Sequence, residues 1–188
     1  MADSSSPLGL LGTLRLLLNS FPPHAPPYCV IGALAVGAWG RPRATQDIDL
    51  LILLEESTHR EFTGRLESAG FPLDEEWARQ NPLMKGRGIR LRHRSYPVDL
   101  MIPCDVHERE ALTRRVSLTI EGLPVWIASP EDLILLKLKA CRDHDLVDAQ
   151  SVVHQQAARL DLNYLWNWAD RLHLQSELHY VLSTPSAQ

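Results

Sequence analysis

Cysteine is scarce in this 188-residue chain, and its spacing supports neither of its usual structural roles. The 3 residues, Cys29, Cys104 and Cys141, form an odd, widely separated set without a CxxC pair. This pattern argues against a disulfide framework and against a zinc cluster, and it favours a reducing, cytoplasmic compartment. The 8 histidines show no HxxxH or HExxH spacing, so a histidine-based metal site is not predicted either.

The chain also lacks an excess of positive charge and long apolar runs. With 19 Lys and Arg against 23 Asp and Glu, its formal charge is −4. No overall positive field attracts nucleic acid, so such a contact needs a local patch. No stretch reaches the roughly 20 apolar residues that span a bilayer. The Leu-rich segment 8–18 contains Arg15 and follows no Lys or Arg, so we predict an amphipathic helix after a frayed tip, and no membrane contact.

What remains is an ordinary globular composition, 45% hydrophobic and 22% charged. The length suggests one domain, or at most two. We predict an N-terminal helix with a Pro-rich linker in 1–27, an α/β core in 28–128 and a C-terminal helical subdomain in 129–188.

Local patterns predict the secondary structure within these parts. Strands are expected at 28–31, at 47–54, in two antiparallel segments of 86–102, and in a hairpin of 116–120 and 125–127. Helices are expected at 33–39, from about 57 to 69, at 105–115, from a Ser129 cap to about Cys141, at 145–158 and, as one long helix, at 162–181.

Two acids, Asp47 and Asp49, mark the start of the strongest predicted strand. Residues two apart on a strand project to one face, so both carboxylates point one way and Ile48 and Leu50 the other. Like charges held together repel each other unless a cation intervenes, and oxygen-only ligands suit Mg²⁺. The alternative is that these acids only join a loop to a strand, because DxD is a short pattern.

Three other features favour the metal interpretation. Asp99 is a single charge in an apolar strand, which is costly unless the carboxylate is paired, faces water or binds a metal. Gly32-Ala33 opens a helix after a buried strand, and such a helix start lets phosphate oxygens approach backbone N–H groups. Arg41 and Arg43 precede the acids, where they bind phosphate or belong to a solvated turn.

These residues together resemble a known superfamily. The runs Gly32-Ala33-Leu34-Ala35-Val36 and Arg43-Ala44-Thr45-Gln46-Asp47-Ile48-Asp49-Leu50, with Asp99 later, are similar to the DNA polymerase beta-type nucleotidyltransferases. Within that superfamily they resemble the small bacterial members that include abortive-infection toxins of toxin–antitoxin pairs. A second block, Ser129 to Lys137 and then His144 to Asp148, is similar to the same group. The likeness covers about residues 28–153.

The resemblance implies an α+β fold, with a small mixed β-sheet flanked by helices and a C-terminal helical portion. It implies that Asp47, Asp49 and Asp99 bind Mg²⁺ and that the phosphates of an NTP lie along the helix opened by Gly32 and Ala33. An acceptor would attack the α-phosphorus and release pyrophosphate. Two cations can clamp the oxygens of such a displacement, and Asp99 can accept the proton of the nucleophile.

The resemblance also gives roles to Lys137 and Asp148. Lys137 would face the site and offset phosphate charge, unless its stem simply covers apolar surface. Asp148, which shares a helix face with Asp145, would support nucleotide binding together with Arg43. One position departs from the pattern: Ala33 stands where a second Gly or a Ser is usual, and its methyl group crowds the backbone that should hold the phosphates.

The leading hypothesis is a Mg²⁺-dependent nucleotidyltransferase that uses an NTP such as ATP, with Asp47, Asp49, Asp99 and Lys137 as catalytic residues. The acceptor would be an RNA such as tRNA, a protein or a small molecule, and a toxin-like enzyme would have an antitoxin partner. Arg90, Arg92 and Arg94 alternate along one strand, which favours nucleic acid unless they form an ordinary solvated face.

Two alternatives stay open. The first is an antibiotic-type, small-molecule adenylyltransferase, for which the run Asp74-Glu75-Glu76 suggests an acidic acceptor pocket. The second is a non-catalytic nucleotide-binding module of the same fold, which the Ala33 departure suggests. Trp166 and Trp168 are expected to pack the C-terminal helices, with an exposed partner surface as the other interpretation.

Overall fold

The computed structural model describes residues 9–183, which fall into two compact units. The first unit comprises the chain up to Tyr28 together with Gln46–Pro103. The second comprises Cys29–Thr45 and the chain from Cys104 onward. The frayed tip expected at the N-terminus lies outside the described residues, and the three-part division expected from the sequence stays a prediction.

In the described residues, helices and strands are mixed up to residue 127, and four successive helices follow. The helices are α1 Leu10–Asn19, α2 Gly32–Trp39, α3 Glu56–Ser68, α4 Glu75–Gln80, α5 Val106–Thr113, α6 Pro130–Ala140, α7 Asp143–Gln156, α8 Leu162–Leu172 and α9 Gln175–Ser183. The strands are β1 Tyr28–Val30, β2 Ile48–Ile52, β3 Gly88–His93, β4 Tyr96–Met101, β5 Val116–Ile120 and β6 Leu123–Ile127. A 3₁₀ turn occupies Pro82–Met84.

Strand β4 is central in the first unit. It pairs in parallel with β2 and antiparallel with β3. The side chains of Ile48, Leu50, Val98 and Leu100 are fully buried, and alternation along the strands therefore turns the residues between them to the opposite face. The β3–β4 hairpin closes with a two-residue turn in which Arg94 adopts a φ of 54°.

The second unit repeats this mixture of strand directions. Strand β6 pairs in parallel with β1 and antiparallel with β5. The predicted hairpin turn is confirmed, with Glu121 and Gly122 both at positive φ. The predicted start of α6 is also confirmed, because the Ser129 side chain accepts a hydrogen bond from the Asp132 N–H and Pro130 is the first helical residue. Mixed strands flanked by helices confirm the predicted α+β fold class.

Two features differ from the sequence prediction. Helix α4 and the 3₁₀ turn lie in a segment to which no element was assigned, although Asp74 caps α4 by accepting the Trp77 N–H. The single helix predicted at 162–181 is wrong, because α8 ends at His173, which has a φ of 58°. The Leu174 N–H then donates back to the Ala169 carbonyl, 2.8 Å away, as in a Schellman motif that lacks glycine.

No helix in the described part of the chain is long and apolar enough to span a membrane. The Trp expectation holds for Trp168, which is buried, whereas Trp166 is partly exposed.

Gly40 provides a test of how the loop after α2 packs on α7. A Cβ atom at Gly40 would lie 2.5 Å from Ser151 Oγ and 2.9 Å from the Val152 backbone nitrogen. We expect Gly40→Ala to lower the free energy of unfolding by about 1–3 kcal/mol, because the backbone of α7 must shift. The matched control is Gly64→Ala in α3, where a Cβ meets nothing within 4 Å, and it should stabilise the protein by about 0.5–1 kcal/mol. Urea unfolding of both variants checks this, and equal changes would contradict the packing.

Candidate active site

Two acidic residues from distant parts of the sequence are neighbours in the first unit. In the parallel register of β2 and β4, Asp49 is the direct partner of Asp99. Adjacent strands lie about 4.8 Å apart, and paired residues turn their side chains to the same face. Asp47 directly precedes β2, two residues from Asp49. The first unit therefore brings the three predicted carboxylates to one region of one sheet face.

A guanidinium group is bound to the third carboxylate. Arg90 on β3 is the antiparallel partner of Asp99. Its Nε donates to Asp99 Oδ1 at 2.6 Å, and its Nη2 donates to Oδ2 at 2.5 Å. The other side of this group faces the Trp77 ring, with 4.8 Å from the guanidinium carbon to the ring centroid. Arg90 thus lies between an aromatic ring of α4 and a carboxylate of β4, a well-oriented bidentate pair.

The electrostatics agree with this geometry. The hydrogen bond to Asp99 raises the pKa of Arg90, and the charges of Asp47 and Asp74 act in the same direction. Asp47 is therefore near enough to Arg90 for their charges to interact. Arg90 is a cation set among the acids that the sequence predicts as metal ligands.

The predicted basic stripe on β3 is largely neutralised. Besides Arg90, the Arg92 guanidinium donates to Asp74 Oδ2. The Trp77 N–H and the Arg92 guanidinium hold the pKa of Asp74 below its ordinary value. Arg94 lies in the turn rather than in the strand. Asp74 is likewise engaged, so only Glu75 and Glu76 of the acidic run are exposed.

In the second unit, Gly32 and Ala33 form the first turn of α2. Gly32 has a φ of 65°, which a residue with a side chain rarely adopts. Ala33 is 6% exposed, so its methyl group is largely buried. No side chain caps this helix start.

The same unit buries a chain of charges that includes the other predicted residues. Lys137 Nζ on α6 donates to Asp145 Oδ1 and to Asp148 Oδ2 of α7, both at 2.8 Å. Arg43 Nε and Nη2 donate to the two Asp148 oxygens at 2.9 and 3.1 Å. Arg142 donates to Asp145 at 2.6 Å. The ammonium and both carboxylates are buried, whereas the Arg43 side chain is 41% exposed.

These contacts keep both carboxylates ionised. Burial acts to raise the pKa of Asp148, but the hydrogen bonds from Arg43 and Lys137 outweigh it and hold the pKa below its ordinary value. Burial acts on Asp145 in the same way, and Arg142 and Lys137 outweigh it. Asp148 therefore fixes one end of Arg43, whose guanidinium remains partly accessible.

A third acidic group has a structural explanation. Among the described residues, the ligand atoms of Cys104, Asp105 and Glu108 lie within 4.8 Å of one another. The Lys139 ammonium contacts both carboxylates, Asp105 accepts the Glu108 N–H, and Glu108 accepts the Cys104 N–H. Asp105 is thus the N-cap of α5, and the lysine neutralises the two carboxylates at this helix start.

The structure thus separates the predicted site residues into two groups. Asp47, Asp49 and Asp99 belong to the first unit, and the second unit holds the rest, namely Gly32, Ala33, Arg43, Lys137 and Asp148. Their functional roles stay predictions. Sequence reasoning missed the contacts of Arg90 with Asp99 and with Trp77. The hairpin held the signal, because a two-residue turn at Arg94-Ser95 sets Arg90 opposite Asp99.

Residues 13–181 match the family described as "Nucleotidyltransferase of unknown function" (DUF6036). The chain belongs to this family, and the predicted superfamily and enzyme class are confirmed. The finer likeness to abortive-infection toxins stays a prediction.

Two solved structures of ANT(2'')-Ia show the same fold. The solution structure of the antibiotic-resistance factor ANT(2'')-Ia is 16% identical, covers 89% of this chain and 95% of its own, and has a TM-score of 0.59. The crystal structure of ANT(2'')-Ia in complex with adenylyl-2''-tobramycin is 15% identical and covers 88% of this chain and 97% of its own, with a TM-score of 0.58. The lincomycin-bound lincosamide antibiotic adenylyltransferase LnuA is 12% identical and covers 66% and 84%, with a TM-score of 0.47. At these identities the likeness shows the fold alone. No curated protein matches the chain.

The buried charge chain predicts a large effect of Lys137→Met. Without the ammonium, the buried carboxylates of Asp145 and Asp148 lose a charge partner. We therefore expect the free energy of unfolding at pH 7 to fall by about 3–5 kcal/mol. Lys139→Met is the matched control on the same helix, and its more exposed ion pairs should cost no more than about 1 kcal/mol. Urea unfolding at constant salt measures both changes. A loss for Lys137→Met no larger than the control would contradict the buried network.

The loss of unfolding free energy in Lys137→Met should depend on pH in a defined direction. The folded pKa values of Asp145 and Asp148 lie below the ordinary value of 3.8, so their contribution is full above that pH and is lost as pH falls through the folded values. Protonated carboxylates do not need the ammonium. The deficit of Lys137→Met relative to the wild type should therefore shrink as the pH of the unfolding experiment is lowered from 7 to about 3. A deficit that is constant or grows in acid would contradict this interpretation.

Proposed function

We propose that this protein is a divalent-metal-dependent nucleotidyltransferase that transfers a nucleoside monophosphate from an NTP to an acceptor and releases pyrophosphate. One observation carries the proposal. The parallel register of β2 and β4 makes Asp49 and Asp99 direct neighbours, with Asp47 two residues before Asp49. Because like charges on neighbouring strands repel each other, a bound divalent cation would stabilise this arrangement together with Arg90.

The donor chemistry fits Mg²⁺. All three residues offer carboxylate oxygens, which this cation prefers, and they leave positions for substrate phosphates. Each Asp99 oxygen accepts one hydrogen bond from Arg90 and keeps a further lone pair, so the carboxylate can bind a metal without losing Arg90. Asp47, Asp49 and Asp99 would hold the cation. When bound, the metal would withdraw charge from the α-phosphate and favour ionisation of the acceptor hydroxyl.

Asp99 also has a position suited to the proton of the acceptor. Arg90 holds both of its oxygens, so the carboxylate is oriented before substrate binds. The buried face formed by Val98 and Leu100 keeps the strand in register beneath it. In the proposed reaction, the Asp99 carboxylate accepts the proton as the acceptor oxygen forms its bond to the α-phosphorus and the bond to pyrophosphate breaks.

Within the second unit lie groups suited to phosphate. Backbone N–H groups at the start of α2 and the exposed part of Arg43 are both complementary to negative charge. Lys137 would support phosphate binding indirectly, because its ammonium binds the Asp148 carboxylate and that carboxylate anchors Arg43.

A small-molecule acceptor is the second candidate that an observation favours. Arg90 and Arg92, which suggested nucleic acid, are paired with Asp99 and Asp74. Glu75 and Glu76 remain exposed, and such acids suit a cationic acceptor. Two similar structures are of ANT(2'')-Ia, one of them with adenylyl-2''-tobramycin. RNA, protein and antitoxin partners, and the cytoplasmic location, stay predictions on the sequence alone.

The direct test is transfer of label from α-labelled NTPs in Mg²⁺, with total RNA, aminoglycosides and lincosamides offered as separate acceptors. Asp49→Asn should lose at least about 100-fold of the transfer rate, because a metal ligand is removed while the shape of the side chain is kept. Glu67→Gln, an exposed carboxylate change on α3 of the same unit, should leave transfer unchanged. Label transfer that survives Asp49→Asn would remove the proposed mechanism. Label on RNA would identify a nucleic-acid acceptor, and label on an aminoglycoside or a lincosamide would identify a small-molecule acceptor.

A further inference from the structure

Arg90, which orients Asp99 in the proposed reaction, occupies a distinctive place in the first unit. It is one of the charged residues that the structure sets in direct contact with the proposed metal ligands. Its side chain is 24% exposed and that of Asp99 is 16% exposed, so water screens the pair only in part. The Trp77 ring covers the guanidinium on another side.

This placement has an electrostatic consequence. Carboxylates on neighbouring strands repel each other, and Arg90 offsets part of the repulsion that Asp99 meets. The same positive charge repels a divalent cation that approaches Asp99. Arg90 therefore stabilises the metal-free protein and weakens the binding of metal alone.

A nucleotide changes this balance. The triphosphate of an NTP brings several negative charges and further oxygen ligands together with its metal. Those charges offset the repulsion from Arg90, so the metal can bind as part of a metal–nucleotide complex where metal alone binds weakly.

We propose that Arg90, held by Trp77, is a positioning residue that makes metal binding depend on nucleotide: it orients Asp99 and competes with the free divalent cation. This inference rests on the proposed metal site. It does not place Arg90 in contact with substrate, and it assigns α4 a role, because Trp77 is the residue of α4 that holds the guanidinium.

The test measures Mn²⁺ binding to the full-length protein by electron paramagnetic resonance, with and without a non-hydrolysable NTP analogue. Arg90→Gln should bind Mn²⁺ alone at least about tenfold more tightly than the wild type, because the competing charge is gone. The factor by which the NTP analogue increases Mn²⁺ affinity should be correspondingly smaller in Arg90→Gln than in the wild type. Arg92→Gln is the matched control, two residues along the same strand and paired with Asp74, and it should leave Mn²⁺ affinity unchanged.

A second readout is thermal unfolding in EDTA and in Mn²⁺. Arg90→Gln should unfold at a lower temperature in EDTA and recover more than the wild type does when Mn²⁺ is added. A purely structural Arg90 would lower both temperatures equally, which would overturn the inference. Trp77→Leu, which loosens Arg90 without removing it, should tighten Mn²⁺ binding about twofold to fivefold, the equivalent of one cation–π contact. It replaces Arg90→Gln if that variant does not fold.

The outcomes separate this inference from the proposed function. If Mn²⁺ binds to the wild type with the analogue and Asp49→Asn abolishes that binding, the metal site stands. Unchanged affinity for Mn²⁺ alone in both Arg90→Gln and Trp77→Leu would then overturn the role of Arg90. If neither the wild type nor Arg90→Gln binds Mn²⁺ with the analogue, the proposed metal site and this inference both fail.

Discussion

The repulsion between carboxylates on neighbouring strands is the constraint on which the rest of this molecule depends. Asp49 and Asp99 are direct partners in the β2–β4 register, with Asp47 close by. Positive charge nearby lowers the free energy of this arrangement. Arg90 supplies part of it, and a divalent cation would supply more. The buried side chains Ile48, Leu50, Val98 and Leu100 on the other face fix the register, so the acids cannot separate without exposing the core.

The second unit manages charge by a different arrangement. Lys137 lies buried between Asp145 and Asp148. The more exposed Arg142 and Arg43 donate to the same two carboxylates, Arg142 to Asp145 and Arg43 to Asp148. Such a network adds little net stability compared with apolar packing, but it fixes positions, since removing one member leaves a buried charge. Here it fixes Arg43 in the loop after α2. In each unit, ion pairs therefore hold a charged side chain in a fixed position: Asp99 in the first and Arg43 in the second.

Much of this could be predicted from the sequence, and the limits have physical causes. Alternation of apolar and acidic residues predicted that Asp47 and Asp49 share a face, and the Ser129-Pro130 signal predicted the start of α6. The break at His173 could not be predicted, because its left-handed conformation lacks the usual glycine. Lys137 was expected at phosphate, whereas its contacts with Asp145 and Asp148 depend on how α6 packs on α7. The pairing of Arg90 with Asp99 could be predicted only with the exact length of the turn between β3 and β4, because that length sets the register of the two strands.

The most direct measurement of the central claim is a crystal structure of the wild-type protein soaked with Mn²⁺ and a non-hydrolysable NTP, with the metal located by its anomalous scattering. The account predicts an anomalous peak at coordination distance, about 2.0–2.2 Å, from oxygens of Asp47, Asp49 and Asp99, with Arg90 still bound to Asp99. A peak elsewhere, for example at Asp105 and Glu108, would contradict it. A bound nucleotide whose metal touches none of the three carboxylates would contradict it as well.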